Sequence, residues 1–412
     1  MKSKIRTHLN DPAHLESLYR NNRVAFKQSF NDLLPTLKGN IVAECWNVRL
    51  NYADETIHWG SRKEFLFVLV AAAIACLIAQ FPMLFSIDEE FFYPRNISFI
   101  IFSPLAVFFA WRHNLPMGKL AFLLGATLIS VVFINLLPNN PESDTVVLSC
   151  LHLVLVLWSL LGFAFSGNTN PIHTPRIGFL TYNGDLLVLM ALIAISGAIL
   201  SGITIGLFAA IGLQIEDIYF QYVGITGAAA VPLVATFLIQ SNPQLVGKIS
   251  PVIARIFCPL VLAMLVVYLI AMAYGGKNPY TDRDFLLIFN VMLIGVMAII
   301  FFSIAGPSPT KNRWETGIIT LLAAVTVVVN IVALSAILFR IAEWGITPNR
   351  VAVLGANVLV LMNLIWVFVQ LIRVVRADIP ITRVQVVVAR YLPIYCLWAF
   401  IVTFLFPMIF GI

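Results

Sequence analysis

His152, in the stretch LSCLHLVLVLW, is the one ionisable side chain that the apolar pattern places well inside a membrane-length run. An imidazole changes charge near neutral pH, so at such depth it can carry a proton or meet a substrate. The same ring can also sit neutral, bonded to a neighbouring helix. Farther along, Asn290, Asn330, Asn357 and Asn363, with Gln370, set carboxamides into three of the last four apolar runs. Such groups either line a polar path for a solute or tie helices together by hydrogen bonds. Asn363 and Gln370 share a helix face, whereas Asn357 points about 120° away from Asn363. A third set lies at a break between runs, in RIAEWGITPNR, where Arg340, Glu343 and Arg350 surround Trp344, Gly345 and Pro348. Gly345 and Pro348 turn the chain, Trp344 suits the membrane interface, and Glu343 can neutralise either arginine. The two arginines together could hold an anionic headgroup or substrate. Last, Asp88, Glu89, Glu90, Asp282 and Asp284 are oxygen donors of the kind that hold a divalent ion.

The elements that must position these residues follow from composition. Of the 412 residues 60% are hydrophobic and only 11% charged, against roughly 25% charged in soluble domains. Lipid is therefore the main solvent. Apolar runs of about 20 residues are expected near 64–86, 97–111, 117–137, 145–165, 184–212, 219–240, 250–274, 284–305, 314–339, 351–372 and 392–411. The fold expected is an all-α polytopic bundle of about eleven spans. Its first 62 residues are expected to form a small cytosolic helical cap and residues 63–412 the transmembrane domain. Within the cap, Asp11 with Pro12 marks one helix start, Val24, Phe26 and Phe30 a second helix, and Ile41, Cys45 and Val48 the apolar stripe of a third. The first residues lack the apolar core and cleavage site of a secretory signal, so the first span is expected to serve as the insertion signal.

Charge tests the topology. Residues 1–63 hold ten Lys and Arg against six Asp and Glu. Beyond them, one alternate set of connections carries eleven Lys and Arg and the other five, Arg95, Lys277, Arg283, Arg340 and Arg350. Basic residues favour the cytoplasmic side, so the N-terminus is read as cytoplasmic and the C-terminus as outside. The basic juxtamembrane face suits anionic lipids, and no motif accompanies it that would make nucleic acid the partner. Five cysteines, none in a close pair, argue against a disulfide framework or a Cys-rich metal site.

Two further patterns concern architecture. SGAILSGITIG in the fifth run sets Gly202 and Gly206 in small-residue spacing, a surface expected to pack on the sixth. Pro104, Pro232, Pro259 and Pro407 lie within runs and should kink them. No repeat relates the two halves.

The stretches EWGITPNRVAVLGAN, KNPYTDRDFLLIFN, NPQLVGKISPVIARIF and LESLYRNNRVAFKQSFNDL together resemble a bacterial polytopic membrane family filed as domain of unknown function 4153, in its Bacteroidetes-like branch. That resemblance covers most of the chain. It implies a bacterial inner-membrane protein and brings no known reaction, catalytic residue or cofactor. The sequence-level reading is then a permease-like protein that binds or moves a small solute or lipid. The alternatives are a non-catalytic scaffold or sensor, with a protein partner at the cap, and an outer-face enzyme acting on a lipid-linked substrate. The Walker, HExxH and GxSxG motifs are all missing, which excludes ATP-driven pumping by this chain alone, zincin chemistry and α/β-hydrolase chemistry.

Overall fold

A computed structural model describes residues 2–21, 23–37, 39–51, 60–140, 142–167, 173–211, 213–242, 249–274, 283–305, 313–377 and 379–411. Of residues 21, 23–25, 28, 51, 173, 210, 249–256, 268, 271–274 and 283–289 it describes the backbone only. Every regular element among the described residues is helical. The chain divides into two compact units, Met1–His58 and Trp59–Ile412.

The smaller unit holds α1 (Lys2–Thr7), α2 (Pro12–Asn21), α3 (Arg23–Leu33), a 3-10 turn (Leu34–Thr36) and α4 (Ile41–Asn51). Asp11 caps α2, its Oδ1 accepting from the backbone N–H groups of Ala13 and His14 at 3.1 Å each, which satisfies donors that a helix start leaves orphaned. Ile5, Leu15, Phe26, Phe30 and Trp46 form its core. The stripe of Ile41, Cys45 and Val48 that marked α4 in the sequence faces outward. Ala43, Trp46 and Leu50 are buried, whereas Ile41 is 77% and Val48 60% exposed, with Cys45 exposed between them. Trp46 offers far more apolar area than Ile41 or Val48, and burying it turns that stripe outward.

The larger unit holds α5 (Arg62–Ala79), α6 (Phe81–Phe85), α7 (Glu89–Arg112), α8 (Met117–Leu136), α9 (Asp144–Ser166), α10 (His173–Ala210), α11 (Glu216–Ser241), α12 (Ile249–Tyr274), α13 (Arg283–Ala305), α14 (Arg313–Trp344), α15 (Pro348–Ala377) and α16 (Thr382–Phe410). Eight of these, α7 to α11 and α14 to α16, are long and apolar enough to cross a membrane. Shorter apolar stretches, Phe257–Val267 and Asn290–Ala305, belong to α12 and α13. The first expected run breaks at Gln80, and α5 opens with Arg62, Lys63 and Glu64 behind a Ser61 capping box. The second run, expected at 97–111, belongs to the 24-residue α7, which begins eight residues earlier. Many long apolar helices, largely with lipid-type side chains outward, make this an integral, multi-pass membrane protein.

Two large apolar clusters and two smaller ones build the unit. One of the large clusters joins α5 and α7 to α11, and the other joins α12 to α16 with Leu180 of α10; Trp158 of α9 packs against both. Proline breaks in α16 are served from neighbouring helices. Pro393 has no N–H for the Ala389 carbonyl, which accepts from Arg176 Nη1 of α10 at 3.1 Å. Pro407 likewise leaves the Thr403 carbonyl, which accepts from Ser149 Oγ of α9 at 2.8 Å beside the π-helical turn Ile401–Leu405. In lipid no water can satisfy such a carbonyl, so these two donors lock α16 onto α9 and α10.

The small-residue stripe of α10 meets α11 through Ser201, whose Oγ donates to Tyr219 Oη at 3.3 Å, but its glycines do not make the close approach expected of them. Nothing lies within 4 Å of where a Cβ on Gly197, Gly202 or Gly206 would stand, and Ile195, Ile199, Ile203 and Leu207 are exposed. α10 and α11 pack together chiefly through the other half of α10, where Tyr182 and Thr236 share a 2.8 Å hydroxyl bond. The reason is size: Phe179, Tyr182 and Leu186 bury more area there than glycines can.

Candidate functional site

Of the carboxamides singled out from sequence, Asn290, Asn357 and Asn363 make polar links across α13, α15 and α16, and Asn330 lies on α14, which packs on α15; together they are called the seam. α14 and α15 form a hairpin whose turn is closed by Arg350, and counting back from it at 1.5 Å per residue puts Asn330 and Asn363 level, roughly 20 Å in. Asn357 Nδ2 donates to Asn290 Oδ1 at 2.7 Å, joining α15 to α13. Asn363 Nδ2 donates to Tyr395 Oη at 2.9 Å, joining α15 to α16, and the tyrosine hydroxyl in turn approaches Met297 Sδ at 3.5 Å. The 120° offset of Asn357 from Asn363 is thus used to reach two different helices. These pairs are interhelical fasteners of about 0.6 kcal/mol each.

Asn330 is different. Its side chain is 0% exposed, and neither its oxygen nor its nitrogen finds a partner among the described residues. The Asn363 oxygen, at the same level, is likewise unpartnered. An amide buried without a partner costs about 1–3 kcal/mol, so a leucine would be cheaper at position 330 were packing its sole task.

The other expected residues have structural partners. His152 of α9 is half-buried, and its Nδ1 lies 2.9 Å from the Leu148 carbonyl one turn back on its own helix. Arg350 Nη1 donates to the carbonyls of Trp344 and Gly345 at 2.7 and 2.6 Å, closing the end of α14. Its guanidinium and that of Arg340 lie 5.9 and 4.9 Å from the Trp344 ring centre. Glu343 forms no ion pair with Arg350 among the described residues. Asp88 caps α7, accepting from the Glu90 N–H at 3.1 Å, with Glu89 and Glu90 in the first turn where the helix dipole favours acids. Among the described residues no three His, Cys, Asp or Glu side chains come together. Asp282 lies outside the described residues, as does the side chain of Asp284.

Two buried charges join His152 within the helices, contrary to the expectation that it stands alone. Arg95, 4% exposed on α7, donates to the carbonyls of Ile134, Leu137 and Pro138 at 3.2, 3.4 and 2.9 Å, capping α8 with a full positive charge at its negative end. Beside it Asn96 and Asn135 exchange amide bonds at 3.0 Å. Asp185, 5% exposed on α10, lies about 18 Å along that helix from His173, one turn beyond Thr181, whose hydroxyl donates to the Ala305 carbonyl of α13 at 3.0 Å. Its neighbour Asn183 accepts from Trp158 Nε1 at 2.9 Å. Arg95 stands just before the run expected at 97–111 and Asp185 is the second residue of the run expected at 184–212, so neither reads from sequence as deep. Asp88 with its acidic first turn marks α7 as starting before Arg95, and Pro175 marks α10 as starting before Asp185.

Comparison with protein-family models, with curated proteins and with solved structures finds no match for this chain.

Proposed function

We propose that this chain is a permease-like protein of a bacterial inner membrane, of the family it resembles, and that a small polar solute or lipid headgroup is bound or moved along the seam of α13 to α16. The observation that carries this reading is Asn330. It keeps both halves of its amide unpaired in the middle of a lipid-solvated bundle, level with the free oxygen of Asn363, and intramembrane polar groups retained at a cost mark ligand pathways. In this reading the chain crosses the membrane about eleven times with the N-terminus cytoplasmic, α5 with α6, α12 and α13 supplying the spans beyond the eight. The test is mass spectrometry of small molecules and lipids that co-purify with the protein in native nanodiscs. A species enriched with the wild type and lost from Asn330→Leu is expected; identical profiles for the two proteins would sink the proposal.

A second reading, a scaffold or sensor acting through the smaller unit, draws on the outward stripe of Ile41, Cys45 and Val48 on α4. Its test is a photo-crosslinker at position 41 in the living cell. One discrete protein adduct, abolished by Val48→Glu, supports a partner there; adducts to lipid alone, or none, contradict it.

A further inference from the structure

Lys119 and Arg176 line one half-open cavity of about 470 Å³, set between the start of α8, the last turns of α9, the start of α10 and the middle of α16. Its walls are apolar and aromatic, with Trp158, Phe163, Phe179 and Leu392 prominent, and among the described residues no carboxylate lines it. That size and character are those of a ligand pocket. Both cations are anchored rather than loose. Lys119 Nζ donates to the Gly167 carbonyl at 2.9 Å, and Arg176 serves the carbonyl that Pro393 leaves open, at 3.1 Å.

The side-chain charges are of one sign. Lys119 stands in the first turn of α8 and Arg176 at the start of α10, and neither first turn contains an acid. A helix N-terminus is itself positive and ordinarily favours acids, so two positive dipole ends and two cations face the single negative end of α9, whose Gly167 carbonyl Lys119 already caps, and the net charge at this mouth is positive. The apolar wall then runs from Gly167 down α9 to Trp158, about 13 Å by helical rise. An anionic head beside a long apolar wall, on helices that are in lipid, describes one ligand class, because basic pockets between membrane helices hold phosphate headgroups.

We propose that this cavity binds an anionic phospholipid, its phosphate between Lys119 and Arg176 and an acyl chain along Trp158, Phe163 and Phe179. None of the seam's amide residues nor Tyr395 lines the cavity, and the proposal does not depend on the role of Asn330.

The test is native mass spectrometry of the full-length protein, extracted in detergent and titrated with phosphatidylglycerol or phosphatidylcholine. Phosphatidylglycerol is expected to be retained, and phosphatidylcholine not. The double variant Lys119→Gln, Arg176→Gln should weaken retention about thirtyfold. Since that variant also removes bonds to Gly167 and Ala389, Ser159→Phe provides a second route: it fills the cavity while leaving both cations, and should abolish retention in a folded protein. Equal retention of the two lipids would overturn the proposal, as would phosphatidylglycerol binding undiminished in Ser159→Phe. Displacement of the bound lipid by inorganic phosphate alone would show a free-anion site and overturn it too.

Discussion

An unpaired amide in a bilayer has no water to fall back on, so replacing it separates packing from function. Asn330→Leu should raise stability against thermal unfolding in nanodiscs by about 1–3 kcal/mol, because it removes the desolvation cost of an amide with no partner. Asn357→Leu should lower stability by about 1 kcal/mol, because it strands Asn290. Opposite signs from two Asn→Leu changes on adjacent helices are not expected of a seam that serves packing alone. A loss of stability in Asn330→Leu would show that this amide has a partner and remove the main support for the pathway. Arg95→Met should cost about 2–3 kcal/mol, since it strips a charged donor from three carbonyls at the end of α8. At this scale the sequence was partly legible. It marked the four asparagines, but not which of them pair, since pairing depends on the rotation of neighbouring helices. It missed Arg95 and Asp185, because a charge near a run's edge reads equally well as a loop residue.

Helices are fixed by where their irregularities are served. Prolines 393 and 407 of α16 each give up a hydrogen bond, and Arg176 and Ser149 replace the missing donors from α10 and α9. Close approach supplies a second device: a Cβ added to Gly355 of α15 would collide with the Trp398 ring of α16. Gly355→Ala should therefore destabilise by about 1–3 kcal/mol, and in a Trp398→Val background most of that cost should vanish, a coupling readable by a double-mutant cycle. Additive losses would mean that the ring is not what excludes the methyl group. Helix existence was plain from apolar run length, whereas ends and faces were not. The stripe on α4 and the glycines on α10 both have the right spacing and both face outward, because spacing says which residues share a face and the largest side chains decide which face is buried.

At the scale of the molecule, two units with separate cores sit in one chain, and among the described residues the membrane-length helices all belong to the larger. The smaller carries the ion pairs of Glu16 with Arg20 and Arg49, from which a pH response is expected. The Glu16 carboxyl is held below its ordinary value of 4.5 by the hydrogen bond from Arg20 and by Arg49, so its contribution to stability is full above that value and lost as pH falls through the lowered one. Amide exchange in α2 and α4, corrected for the intrinsic rate, should be steady near neutrality and quicken only below about pH 4.5. Glu16→Gln should blunt that step, and an unchanged profile would show that the ion pairs contribute nothing, as exposed pairs sometimes do.

The central claim is that the seam of α13 to α16, in which Asn330 is buried with no partner among the described residues in this conformation, opens to water and solute. The most direct measurement is thiol labelling in native membrane vesicles. With the five native cysteines replaced, Asn330→Cys and Asn363→Cys would each be challenged with a charged, membrane-impermeant reagent, and Leu200→Cys, on the exposed apolar face of α10, would serve as the lipid-facing control. Labelling at 330 and 363 but not at 200 is the predicted result. A folded Asn330→Cys protein that stays unlabelled from both sides would show a sealed seam and contradict the account.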